Sequence, residues 1–89
     1  MSKLIYIQDP DDPELIVAWE SLRARDSRIS RNASTDGWQY HGTGRDEQGW
    51  AHQFVNRRRK EEAQSDEEYQ QAFHRVPVSK VFAQANGLS

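Results

Sequence analysis

The chain of 89 residues has no cysteine and no long apolar run. Without thiols it forms no disulfide, no zinc–thiolate site and no cysteine nucleophile. The apolar run Leu4–Ile7 is followed at once by acidic residues and is too short for a signal peptide or a membrane span. We therefore expect a cytoplasmic protein in a reducing compartment.

Local signatures of catalysis are also missing. The chain has no serine elbow and no HExxH motif, and Gly42-Thr43-Gly44 lacks the length and context of a phosphate-binding loop. His41, His52 and His74 do not stand at the spacing of a ligand pair, which favours ordinary surface or boundary histidines. The sequence predicts neither an enzyme nor a metal or other cofactor, although a cleft gathering His52 or His74 with two acids would argue for catalysis.

Large apolar side chains are scarce. Apolar residues make up 35% of the chain, and eight of them are alanine. The length predicts one small α+β domain over residues 1–89 with a thin core. Small domains bury only about 60% of their unfolded surface. A partner protein or a homodimer could therefore complete the burial.

The net charge of −2 hides an uneven distribution. Residues 1–20 hold one cation and five acids, residues 21–60 hold nine cations and four acids, and residues 61–89 hold two cations and five acids. The middle of the chain is therefore basic and both flanks are acidic. A basic segment of this kind can contact a phosphate backbone or an acidic protein surface.

Local patterns predict a small antiparallel sheet covered on one face by helices, in the order β-α-β-β-α-α. Leu4–Ile7 is predicted to be the first strand. Asp12 precedes Pro13 as an N-cap precedes a first helical residue, and the helix should run to about Arg25. The apolar stripe of this helix contains Leu15, Ile16, Ala18, Trp19 and Leu22.

Two further helices are predicted near the C-terminus, and a loop over residues 26–36. Ser65 begins a capping box, and the apolar spacing after it continues to Val76, so the second helix should end before Pro77. Ser79 should cap a short third helix that stops at Asn86-Gly87.

Residues 37–60, GWQYHGTGRDEQGWAHQFVNRRRK, predict a β-hairpin whose loop is closed by a left-handed Gly49. This register pairs Asp46 with Trp50, Gly44 with His52, Gly42 with Phe54, Tyr40 with Asn56 and Trp38 with Arg58. One face then carries Trp38, Tyr40, Trp50, His52, Phe54 and the two glycines, and the other carries Gln39, His41, Thr43, Arg45, Ala51, Gln53, Val55 and Arg57. The ring face is predicted to be interior, with Tyr40 and Trp50 nearest an edge.

The basic end of the hairpin is the predicted contact surface. The hypothesis is a small, non-enzymatic accessory or inhibitory protein, of the kind that phages and other mobile elements encode, which docks onto another macromolecule, most of all a protein. The predicted binding residues are Arg45, Arg57, Arg58, Arg59, Lys60, His41 and Gln53. The alternative is a nucleic-acid binder that uses the same cations and stacks bases on Tyr40 and Trp50.

The two main helices both begin with acidic residues. Asp9, Asp11, Asp12 and Glu14 surround the start of the first helix, and Asp66–Glu68 begin the second. Capping and the helix dipole account for acids at these positions. The alternative interpretation is a surface that contacts a basic partner.

Overall fold

The computed structural model describes residues 4–25 and 37–88. The elements are α1 (Pro13–Arg25), β1 (Trp38–Asp46), β2 (Gly49–Asn56), α2 (Arg57–Glu62), α3 (Asp66–Gln71), β3 (Phe73–Pro77) and α4 (Lys80–Ala85). The strands form one antiparallel sheet in the order β1-β2-β3. The α+β prediction with a small antiparallel sheet is confirmed, whereas the predicted element order is wrong because a helix comes first. The predicted loop 26–36 lies outside the described residues.

The N-terminal segment does not form the predicted strand. Leu4–Ile7 touches the sheet through a single bridge, in which Ile5 and Thr43 exchange backbone hydrogen bonds of 2.9 and 2.7 Å. The next pair along would bring Ile7 opposite His41, where β1 bulges, and the pairing ends there. Ile7 instead donates its backbone N–H to the Tyr40 hydroxyl at 3.4 Å.

The third strand replaces the second half of a predicted helix. The helix capped by Ser65 ends at Gln71, and residues 73–77 pair with β2. The sequence Phe73–Pro77 also alternates, so that His74 and Val76 lie on the same face as Phe54. Without β3 the second edge of β2 would stay unpaired, and an open edge is unfavourable. This non-local pairing outweighs the helical spacing of the apolar residues.

Helix α1 forms as predicted and covers the core face of the sheet, the face that carries Phe54. The Asp12 carboxylate accepts a hydrogen bond from the Glu14 N–H at 2.8 Å at the start of the helix. Ile16, predicted to widen the apolar stripe, is 45% exposed and lies outside the core. Trp19 packs edge-on against Phe54 with ring centroids 4.7 Å apart. The main core cluster contains Leu15, Ala18, Leu22, Trp38 and Phe54.

Both predicted serine caps are confirmed. The Ser65 hydroxyl accepts from the Glu68 N–H at 3.2 Å, and the Ser79 hydroxyl accepts from the Phe82 N–H at 3.0 Å. Helix α4 ends near Gly87, whose φ of 67° is the left-handed conformation expected of a helix stop. Within residues 4–25 and 37–88, no helix is both long enough and apolar enough to cross a membrane.

The hairpin forms, but its strands pair in a different register. Gly49 is left-handed as predicted, with a φ of 108°, yet it pairs with Asp46 across a two-residue loop. The predicted pairs are therefore wrong. The predicted faces of Gly42, Gly44, Thr43 and Arg45 are also wrong. The observed pairs are Asp46 with Gly49, Arg45 with Trp50, Gly44 with Ala51, Thr43 with His52, Gly42 with Gln53, Tyr40 with Phe54, Gln39 with Val55 and Trp38 with Asn56.

A bulge at His41 restores the ring face. The shift at the turn places Thr43 and Arg45 on the core face and moves Gly42 and Gly44 to the reverse face. The extra residue between Tyr40 and Gly42 then reverses the alternation. Trp38 and Tyr40 consequently share the core face with Trp50, His52 and Phe54, as predicted. Trp38 and Phe54 are buried, whereas Tyr40 and Trp50 are half-buried.

Substitution of Gly42 by alanine should destabilise the fold more than the same change at Gly49. Both glycines have a positive φ, so each substitution strains the backbone by about 1–3 kcal/mol. A Cβ on Gly42 would also lie 3.1 Å from Leu4 and Tyr6, whereas one on Gly49 would meet nothing within 4 Å. Urea denaturation should give the lower free energy of unfolding for Gly42→Ala. Equal losses would show that Leu4 and Tyr6 do not press on this strand.

Candidate functional site

The basic run is helical and does not extend the hairpin strand. Asn56 ends β2, and its buried side chain accepts a hydrogen bond from the Arg59 N–H at 3.1 Å. The backbone N–H of Asn56 donates to the Ala72 carbonyl at 2.7 Å. This capping starts α2 directly at Arg57, so the predicted Trp38–Arg58 strand pair is replaced by Trp38–Asn56.

The four cations of α2 have different environments. Arg57, Arg58 and Lys60 are exposed, whereas Arg59 is half-buried with its guanidinium 5.6 Å from the Trp38 ring centroid. The ammonium of Lys60 lies 5.9 Å from the Phe73 ring centroid. Arg59 therefore contributes to packing around Trp38, and Arg57 and Lys60 are better candidates for contact with another molecule.

A groove of about 590 Å³ runs between α2, α3 and the reverse face of the sheet, and we call it the basic groove. Val55, Tyr69 and Phe73 supply its apolar surface, with Tyr69 and Phe73 in edge-on contact at 5.2 Å. His41, Arg57 and Lys60 supply its basic groups. The full lining is Gln39, Tyr40, His41, Val55, Arg57, Lys60, Glu61, Tyr69 and Phe73.

Several predicted contact residues lie away from the basic groove. Arg45 pairs with Trp50 at the turn end of the hairpin, six residues along β2 from Asn56. At the rise of a strand this separation is about 20 Å. Gln53 opens onto a neighbouring cavity lined by Asp46, Gln53, Phe54, Gln70, Phe73, His74 and Arg75. The structure thus brings His41, Tyr40, Arg57 and Lys60 together, but not Arg45, Trp50 or Gln53.

A buried polar chain crosses the core face beside these surfaces. Tyr40 and Thr43 hydroxyls are 2.7 Å apart, Thr43 Oγ1 lies 2.7 Å from His52 Nδ1, and His52 Nε2 lies 2.5 Å from Glu14 Oε2. His52 and Thr43 are fully buried. Because a carboxylate only accepts, Nε2 of His52 carries the proton shared with Glu14. With a neutral imidazole, Tyr40 donates to Thr43 and Thr43 donates to Nδ1 of His52.

Glu14 joins this polar chain to the C-terminal helix. Ser79 donates its hydroxyl to Oε1 of Glu14 at 2.6 Å and its backbone N–H to Oε2 at 3.0 Å. Burial alone would raise the pKa of Glu14, but the hydrogen bonds from Ser79 and His52 outweigh it and lower the pKa. The carboxylate therefore ties α1, β2 and the start of α4 together in its charged form.

The three histidines have separate surroundings. His52 is fully buried, so the prediction of an ordinary surface or boundary histidine is wrong for this residue. His41 is exposed, and His74 is half-buried, where burial and the neighbouring Arg25 lower its pKa. Among the acids of the residues that the structure describes, His52 forms an ion-pair contact with Glu14 alone. Within the described ranges, no group of three or more metal-ligating side chains is present.

The sequence contains a local pattern that indicates helix α2, but no local pattern that indicates the polar chain. Asn56 followed by Arg57 and further good helix formers is an N-cap pattern that predicts α2. Glu14 and His52 are 38 residues apart, and nothing local links them. No family model, curated protein or solved structure matches this chain with significant similarity.

Replacing Thr43 by valine should destabilise the protein by about 1–3 kcal/mol, since Tyr40 and His52 would each lose a buried hydrogen-bond partner. Thr43→Ser keeps the hydroxyl and serves as the control with a smaller loss. Chemical denaturation measures both free energies of unfolding. If Thr43→Val lowered the free energy of unfolding no more than Thr43→Ser, the Thr43 hydroxyl would not stabilise the polar chain.

The contribution of Glu14 should disappear at acidic pH. Its pKa is lower in the folded chain than in the unfolded chain, so its stabilisation is present above the ordinary value of 4.5 and is lost as the pH falls through the folded value. The difference in free energy of unfolding between wild type and Glu14→Gln should therefore shrink across this range. Denaturation at a series of pH values tests it, and a constant difference would contradict the charged role of Glu14.

Proposed function

We propose that this chain is a small, non-enzymatic interaction module that docks onto another protein through α2 and the basic groove. The observation that carries the proposal is the combination of an apolar floor with cations at its rim. Val55 and Phe73 supply the floor, Arg57 and Lys60 supply the cations of the rim, and His41 lines the groove with them. A segment that carries acidic and apolar side chains together would match both features.

The electrostatics of the basic groove favour a specific partner over any anion. Arg57 is exposed, and no ion-pair partner for its side chain occurs in the described part of the chain. Glu61 lines the same groove and lowers the local positive potential. Affinity therefore has to come partly from the apolar floor, because a weakened cation cluster alone binds poorly at physiological salt.

The nucleic-acid alternative has less support from the geometry. It needs Tyr40 and Trp50 to stack on bases beside the cations. The Tyr40 ring lies against Phe54, with centroids 5.7 Å apart, and its hydroxyl faces the interior. Trp50 sits at the opposite end of the hairpin from α2. The cations and the two rings do not form one continuous platform.

Charge reversal at the basic groove should abolish partner binding without unfolding the chain. The double variant Arg57→Glu and Lys60→Glu changes two exposed cations of the groove, and an acid in the first turn of α2 suits the helix dipole. Arg45→Glu is the matched control, since Arg45 is an exposed arginine at the far end of the hairpin. Capture from lysate, with and without nuclease, compares the bound protein band for the three proteins.

We expect a nuclease-resistant protein band that wild type and Arg45→Glu retain and the double variant loses. A single-stranded DNA oligonucleotide titrated at low and physiological salt provides the second measurement. Recovery of nucleic acid alone, with affinity falling by orders of magnitude as salt rises, would select the nucleic-acid alternative. Equal capture by the double variant would remove the basic groove as the contact surface.

A further inference from the structure

A second groove shares no lining residue with the basic groove, and we call it the acid-rimmed groove. It lies between the N-terminal segment, the first turns of α1, and α4, with a volume of about 660 Å³. Ile5, Ile7 and Phe82 contribute its deeper apolar side chains. The full lining is Ile5, Tyr6, Ile7, Gln8, Asp9, Asp12, Pro13, Glu14, Val17, Ser79, Val81, Phe82, Ala85 and Asn86.

The apolar walls of this groove are unusually open to solvent. Tyr6 is 55% exposed, Val17 is 64% exposed and Val81 is 77% exposed. They come from three different segments and line the same groove. Single exposed apolar residues are ordinary on a protein surface, but a group of them around one concave site indicates a contact surface.

The charge of the acid-rimmed groove has one sign. Asp9, Asp12 and Glu14 line it, and no cation is among its lining residues in the described ranges. Asp9 and Asp12 accept hydrogen bonds from the backbone N–H groups of Asp11 and Glu14, which orients their carboxylates. These hydrogen bonds explain why acids stand here, but they do not remove the carboxylates from the lining of the groove. Capping also does not account for the exposed valines.

We propose that the acid-rimmed groove binds a segment of a partner protein that combines apolar side chains with lysine or arginine. Apolar side chains of such a segment would cover Val17 and Val81, and its cations would face Asp9 and Asp12. This is the mode in which an amphipathic segment lies in an apolar groove. The site is independent of the basic groove, which fits a partner of the opposite charge.

A second copy of this chain matches the groove less well. The cations nearest each other in the described part of the chain are those of α2, whose sequence RRRKEE contains no apolar residue. Such a helix could neutralise the acids but would leave the exposed valines uncovered. The occupant therefore needs apolar residues interleaved with its cations.

The test uses a fluorescent peptide of leucine and lysine arranged as an amphipathic helix. One counterpart replaces lysine by glutamate, and another replaces leucine by serine. Fluorescence anisotropy against the full chain gives the affinities, and amide chemical shifts locate the site. The double variant Val17→Lys and Val81→Lys should bind the leucine–lysine peptide about tenfold more weakly. The two lysines remove exposed apolar surface and place positive charge beside the acids of the groove.

Ile16→Lys is the matched control, since Ile16 is an exposed apolar residue of the same helix outside the groove. It should change the affinity by less than about twofold. Asp9→Asn removes one charge, keeps the hydrogen-bond acceptor and should weaken binding by a smaller factor. This variant also tests the site if the double variant does not fold, which circular dichroism checks.

Equal binding of the glutamate or serine counterparts would overturn the proposal, as would unchanged binding by the valine or Asp9 variants. A wild-type dimer that dissociates on Val17→Lys and Val81→Lys would assign the groove to a second copy and also overturn it. The charge-reversed Arg57 and Lys60 variant should bind the leucine–lysine peptide as wild type does. Failure here therefore leaves the proposed function of the basic groove unaffected.

Discussion

The contact between His52 and Glu14 is the constraint on which the rest of the fold depends. A fully buried imidazole needs partners for both ring nitrogens, and the carboxylate of Glu14 on one side and the Thr43 hydroxyl on the other supply them. With few large apolar residues available, the protein specifies its layers through this polar chain as much as through packing. This polar chain determines how α1 and α4 pack on the sheet.

The same contacts prepare the acid-rimmed groove. Ser79 and Glu14 join two of its walls, and Tyr40 holds the third by accepting from the Ile7 N–H. A groove whose walls are linked beneath its surface loses less conformational entropy when a ligand enters. The basic groove is built differently, from the helical connection between β2 and β3. The basic and acidic parts of the sequence thus line two separate grooves of opposite charge.

Local chemistry explains which parts of the fold were predictable. Asp12-Pro13, Ser65 and Ser79 mark helix starts through contacts within a few residues, and each was found. Phe73–Val76 fits a helix and a strand equally well, and the choice depends on the unpaired edge of β2. The role of Asn56 was available as a cap signal but competed with the hairpin pattern. The Glu14–His52 contact had no local signal at all.

The bulge at His41 allows β1 to contain one residue more than its pairing with β2 requires. If His41 entered the ladder as a regular strand residue, Tyr40 would turn away from Thr43, because neighbouring strand positions face opposite sides. The hydroxyl that holds Ile7 would then point to the wrong side of the sheet. Loss of the residue at position 41 would instead leave Tyr40 and Thr43 two positions apart and on one face, so the polar chain is compatible with the bulge or with a strand one residue shorter, but not with a regular strand of the present length.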